Sequence, residues 1–380
     1  MWPPRICLTP VYRTISHDGA ARIAMEVSYS MSLYAELHRH LGGAVVPRIF
    51  WRYLLRAHHP LADQYPTYES FEAFVTKPRA SLAEYLELHA LVEPFQTLET
   101  LPYFVSKLVR GAYVFEGICY LELRHTPFYR TDPQLSLPDR LRQMKDVVRV
   151  VGESGVDSEY PLLMSQILCM HSRLPLEINQ AILDMAEEFP EWVCGVDLAG
   201  PDIYYGERLD DLVYLFRQAN ERGIKTTGHL FETADGCFPE LLPYLSRIGH
   251  GIQIALRFPE MLHEVAGRGQ CLEVCPTTYL KTGTLMDLDA LRTVFERCEA
   301  AGVDIAICTD NAGLHNVRLP WEYENLLTQD VIDFNQLAAC QDAAFRHAFA
   351  WPHPHPPRKI LDTLIAEGRG QIHPVSSLVQ

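Results

Sequence analysis

The chain has no C-x-x-C pair, no unbroken apolar run of 18 residues and no excess of positive charge. Each absence excludes something. Its ten cysteines are scattered, and most sit inside apolar stretches such as QILCM, WVCGV and AICTD. They read as reduced, buried thiols of a cytoplasmic protein, not as a disulfide framework. With no long apolar run, no membrane-spanning helix is expected. The 33 basic residues are outnumbered by 48 acidic ones, for a formal charge of −15. That balance argues against a nucleic-acid backbone or an anionic membrane as the main partner, without identifying one. The opening MWPPRICLTPVYRTISHDGAAR lacks the apolar core of a signal peptide. Residues 1–30 therefore read as an N-terminal extension without fixed structure.

What is present is ordinary globular composition, 48% hydrophobic and 21% charged over 380 residues, enough for a large core. Eight short apolar runs recur in order: 34–41, 118–127, 161–170, 193–200, 224–232, 246–254, 271–280 and 303–311. Between them lie stretches with apolar residues three and four apart, such as LPDRLRQMKDVVRVVGESG, LEINQAILDMAEEF, RLDDLVYLFRQANERG and LDALRTVFERCEAAG. The last two close on a glycine, as helices do. Strands alternating with helices pair in parallel, and eight such units predict a (β/α)8 TIM barrel over residues 31–350. The gap after the first strand, about 44–117, holds further helical patterns (LAEYLELHALVEPF, LPYFVSKLVRGAYVF) and reads as a helical insertion over the barrel mouth. Residues 351–380 form a Pro-rich segment and tail; the His353–His355 pair there is no ligand candidate, because a proline-rich helix repeats every three residues.

In a barrel of this kind, reactive groups sit at the C-terminal ends of the strands. AELHRHLGG, residues 35–43, ends the first strand with His38 and His40, two apart and so on one face, able to reach a single ion at about 2.1 Å. Gly42 and Gly43 would allow a sharp turn just beyond. The fifth strand ends with His229, followed by Glu232; the sixth carries His250; the eighth ends with Asp310 and Asn311. Imidazoles and a carboxylate recurring at one rim are the donor mixture that suits Zn2+, one ion per chain. Such an ion makes hydroxide available near neutral pH, and Glu232, if its pKa is raised, would supply the proton that attack on an unsaturated carbon needs. His250 would orient the water, if it is not itself a ligand.

The ordered motifs ELHRHLGG, GVDLAG, GHLFE, RIGHG, EVCPTT and CTDN resemble the adenosine deaminase family of the amidohydrolase superfamily. The resemblance implies a zinc-dependent hydrolytic deaminase of an aminopurine nucleoside, releasing ammonia from C6. It implies His38, His40, His229 and Asp310 as zinc ligands, Glu232 as donor to a ring nitrogen and His250 as the handler of the attacking water. The Gly200 amide would contact another ring nitrogen. Three positions depart from the family pattern. Gly42 stands where an acidic residue usually holds the ribose 5′-hydroxyl, which removes an acceptor and makes room for a 5′-modified or 5′-deoxy adenosine. Asn311 stands where a second aspartate usually faces N7, and Phe231 adds bulk before Glu232. Arg39 should point away from the two histidines, towards the helices. The cytidine-type zinc signature, H-x-E with P-C-x-x-C, is absent. The fourth strand, CGVDLAG, lacks the lysine that bridges two metals in related hydrolases. Two alternatives stay open at this level: a mononuclear amidohydrolase acting on another ring amide or amine, and a purine-binding barrel with reduced turnover.

Overall fold

A computed structural model of the chain describes residues 8–15, 22–29, 34–156 and 160–351. Strands β1 (Leu8–Ile15) and β2 (Arg22–Tyr29) pair antiparallel, Leu8 opposite Tyr29, and form a sheet of their own. RIAMEVSY is apolar at every second position, the period of a strand. The rest of residues 1–30, and the Pro-rich tail beyond Trp351, lie outside the described residues.

Eight parallel strands follow: β3 (Tyr34–His40), β4 (Ile118–His125), β5 (Leu163–His171), β6 (Val193–Ala199), β7 (His229–Leu230), β8 (Arg247–His250), β9 (Cys271–Val274) and β10 (Asp304–Ile307). They pair in sequence order as two four-stranded sheets. Two parallel bridges close the ring, Arg39 to Asp310 and Val196 to Thr226. At the first, His40 N–H donates to the Asp310 carbonyl at 2.8 Å and Asp310 N–H to the His38 carbonyl at 2.7 Å. The expected barrel is present. The fifth strand is much shorter than 224–232: its ladder keeps only His229–Leu230, the remainder joining through Thr226.

Alternation sorts each strand's side chains between two layers. On β4, Cys119, Leu121 and Leu123 are buried in the apolar core, while Tyr120, Glu122 and Arg124 share the other face. Arg124 reaches Glu273 of β9 and Asp197 of β6 at 2.9 and 3.3 Å; Arg247 of β8 donates to Glu122 and to Glu273. The barrel interior is therefore a buried ion network, in which each charge is matched. Helices Leu137–Val156, Leu176–Glu188, Leu209–Glu221 and Asp289–Ala301 cover the outside, the last capped by Gly302 at φ 74°.

The insertion supplies five α-helices, from Pro47–Arg56 to Leu101–Glu116. Phe50, Leu54, Phe71, Tyr85, Leu88 and Phe104 give it a small core distinct from the main one. That core orients helix Leu82–Val92 so that one face looks into the barrel mouth, with Leu82, Tyr85, Leu86 and His89 lining the cavity there. No helix among the described residues is long and apolar enough to cross a membrane.

Candidate active site

The side chains singled out at the strand ends meet at one rim. His229 Nε2 lies 3.1 Å from His38 Nε2 and 3.0 Å from His40 Nε2. Asp310 Oδ1 lies 3.4 Å from His40 Nε2 and 3.9 Å from His38 Nε2. Residues nearly 300 positions apart thus converge because β3 and the end of β10 are neighbours across the closing bridge.

Second partners fix each ring. His38 Nδ1 donates to Glu273 Oε2 at 2.8 Å, which leaves its Nε2 lone pair directed at His229. Burial and Arg124 hold His38 neutral, at about 3, despite Glu273. His40 is likewise held well below its ordinary value, by burial and by the other two imidazoles. His229 differs: burial disfavours its charge, but Asp197, their hydrogen bond and Asp310 outweigh that and lift it to about 9. Its Nδ1 donates to the Leu198 carbonyl at 2.9 Å. Two neutral acceptors and a carboxylate therefore converge where the surroundings favour positive charge. A tetrahedral ion with nitrogen ligands at about 2.0–2.1 Å holds them about 3.4 Å apart. The donor set fits one divalent transition metal with only a slight widening.

Glu232 stands beside this cluster, its Oε2 3.5 Å from His250 Nε2 and its Oε1 without a hydrogen-bond partner. Burial, reinforced by Asp310, pushes its carboxyl up to about 8, so it is protonated near neutral pH. Thr278 donates to Asp310 Oδ2 at 3.1 Å. Phe231, His250 and Asp310 have φ of 56°, 65° and 56°, a left-handed backbone that non-glycine residues rarely adopt. Such strain clusters where a fold must aim side chains at a site.

Gly42, Gly200 and Asn311 line the cavity above the cluster, which holds about 870 Å3 including its open mouth. Three details correct the sequence reading. The space beside Gly42 is not open: a Cβ there would lie 2.5 Å from His89 Cε1, so the His89 ring fills it. Gly43 does not serve a turn but a close approach, since its Cβ would lie 1.8 Å from Asn311 Oδ1. Asn311 lies over Gly43 and donates to Asp310 Oδ1 at 2.6 Å, where its amide steadies a carboxylate. Phe231 packs edge-on against Phe258 at 6.2 Å and does not line the cavity. Arg39 does face the helices. It grips Glu116 at 2.7 and 2.9 Å, and also contacts Glu36 and Thr309.

Sequence reasoning missed Asp197, Glu273 and Arg124, which orient the histidines, and Tyr85 and His89, which line the cavity. The first three had a signal: charged residues inside otherwise apolar strands. The last two had none, being ordinary positions on an amphipathic helix.

Fold and site together define a class: (β/α)8 barrels with a metal-capable cluster of histidines and a carboxylate at the strand ends. The particular family follows from comparison with known proteins. The family profile described as adenosine deaminase matches residues 34–367, so the chain belongs to the adenosine deaminase family and is a hydrolytic deaminase. An adenosine deaminase of Clostridium acetobutylicum is 30% identical over 305 residues, 79% of this chain and 87% of that one. An N6-methyl-AMP deaminase of Danio rerio is 26% identical over 351 residues, 89% and 95% of the two. The solved adenine deaminase from Arthrobacter aurescens shares the fold, with a TM-score of 0.69 at 18% identity over 88% of this chain and 98% of that one.

Proposed function

We propose that the protein is a zinc-dependent deaminase of an aminopurine nucleoside, converting the 6-amino compound and water into the 6-oxo compound and ammonia. The observation that carries this reading is the cluster of His38, His40 and His229, with Asp310 3.4 Å from His40 and 3.9 Å from His38, beside a carboxyl that keeps its proton near neutral pH. These four residues would hold the ion, which when bound supplies the Lewis acidity that makes water a nucleophile at neutral pH. Glu232 holds a proton on its carboxyl and delivers it to the ring nitrogen beside the carbon under attack. His250, 3.5 Å from Glu232, orients the attacking water and takes up its proton. Gly200, at a left-handed φ of 99°, lines the cavity, and its N–H would position a second ring nitrogen. Helix Leu82–Val92 of the insertion walls one side of the cavity.

The experiment is metal analysis joined to ammonia release. About one zinc per chain, ammonia from adenosine, and loss of activity on chelation with recovery on adding zinc are expected. Glu232→Gln should keep its zinc and lose about 100-fold or more in kcat. Bound zinc without ammonia from any aminopurine would overturn the reading and favour another ring amide substrate or a binding role.

A further inference from the structure

The reacting groups occupy the floor of the cavity, so the rest of a ligand must lie against its walls. One wall is helix Leu82–Val92 of the insertion. Tyr85 and His89 lie one turn apart on it and so share a face. Both line the cavity. Tyr85 is 4% exposed, yet its hydroxyl has no hydrogen-bond partner in the fold. A buried, unpartnered hydroxyl costs stability unless something satisfies it. His89 fills the space over Gly42 and sits 6.1 Å, ring to ring, from His40. Among the described residues the Tyr85 ring packs on His315 at 5.1 Å, while its hydroxyl is left without a hydrogen-bond partner.

The charges around this wall limit the ligand. Of the two arginines that line the cavity, Arg130 is already engaged: 3.1 Å from Glu93, 2.9 Å from the Thr126 carbonyl and 3.3 Å from Gln96. Arg124, deeper, is matched by Asp197 and Glu273. No lysine lines the cavity among the described residues, and Asp202 adds a negative charge. A phosphate needs charge-assisted donors, typically an unmatched arginine or lysine. A neutral hydroxyl needs only groups such as a phenol and an imidazole.

Building on the deaminase reading, we propose that Tyr85 and His89 determine specificity by hydrogen bonding a neutral, hydroxyl-bearing substituent of the purine, a sugar, and that a phosphorylated sugar is disfavoured. This use of His89 also replaces the expectation that Gly42 leaves space for larger 5′ groups.

The test is calorimetric binding of adenosine, adenine and AMP to zinc-loaded Glu232→Gln, which should bind without turnover, with Tyr85→Phe or His89→Phe added. Both changes keep a ring in place, and thermal melting verifies that each variant folds. Adenosine should bind at least 10-fold more tightly than adenine or AMP. Each added substitution should weaken adenosine about 5- to 10-fold and adenine less than 2-fold. Unchanged adenosine binding in both variants, or AMP binding more tightly than adenosine, overturns this proposal while leaving the deaminase reading intact. Failure of all three ligands to bind, with no ammonia released by the unsubstituted enzyme, overturns both.

Discussion

At the scale of single residues, the site depends on small ones as much as on ligands. Gly43 is needed because Asn311 lies against it, and Asn311 in turn donates to Asp310. Gly43→Ala should therefore cost about 1–3 kcal/mol by overpacking and lower zinc affinity. Adding Asn311→Gly removes the clash and should recover most of the stability in urea denaturation; no recovery would mean the strain lies elsewhere. The ligand candidates were legible in the sequence because HxH spacing and strand-end positions follow from backbone periodicity alone. The contacts of Gly42, Gly43 and Asn311 were not, because they arise between segments that only the closed ring brings together.

At the scale of elements, Arg39 shows how a residue beside the site holds the architecture. Strand alternation turns its side chain away from His38 and His40 to the end of helix Leu101–Glu116, where Glu116 also accepts from Leu319 N–H at 3.0 Å. One guanidinium thus joins the insertion's last helix, the first barrel strand and, through Thr309, the last strand. Arg39→Met would leave Glu36 and Glu116 buried without their counter-charge. A loss of about 3–5 kcal/mol is expected in denaturant unfolding; a loss below about 1 kcal/mol would contradict the assignment. Strand and helix order was readable from periods of 2 and 3.6 residues. The shortness of β7 was not, since 224–232 is apolar enough for a full strand and its pairing is decided by its neighbours.

At the scale of the whole molecule, burial keeps several barrel histidines neutral, His38, His40 and His125 among them. Burial, then Arg130, holds His125 at about 3, while its Nε2 bonds Gln166 at 2.9 Å. Below pH 6.5 the unfolded chain takes up a proton that the folded chain refuses until about pH 3. Stability contributed by this group is therefore full above pH 6.5 and falls as pH is lowered. The loss is about 2 kcal/mol by pH 5. His125→Gln should make the fall between pH 7.5 and 5 shallower, as measured by urea unfolding; an unchanged slope would contradict the buried neutral state. Barrel architecture was legible from eight alternating units, but the ion network of Glu122, Arg124, Asp197, Arg247 and Glu273 was not, because sequence does not reveal which buried charges will face one another. That network orients the rim on which the whole account turns. Anomalous diffraction at the zinc edge, from crystals of protein purified without chelator, examines that rim directly. A single peak is predicted within about 2.0–2.2 Å of the Nε2 atoms of His38, His40 and His229 and of an Asp310 carboxylate oxygen. No peak at that point in crystals of active enzyme, or a peak bound by other residues, would contradict it.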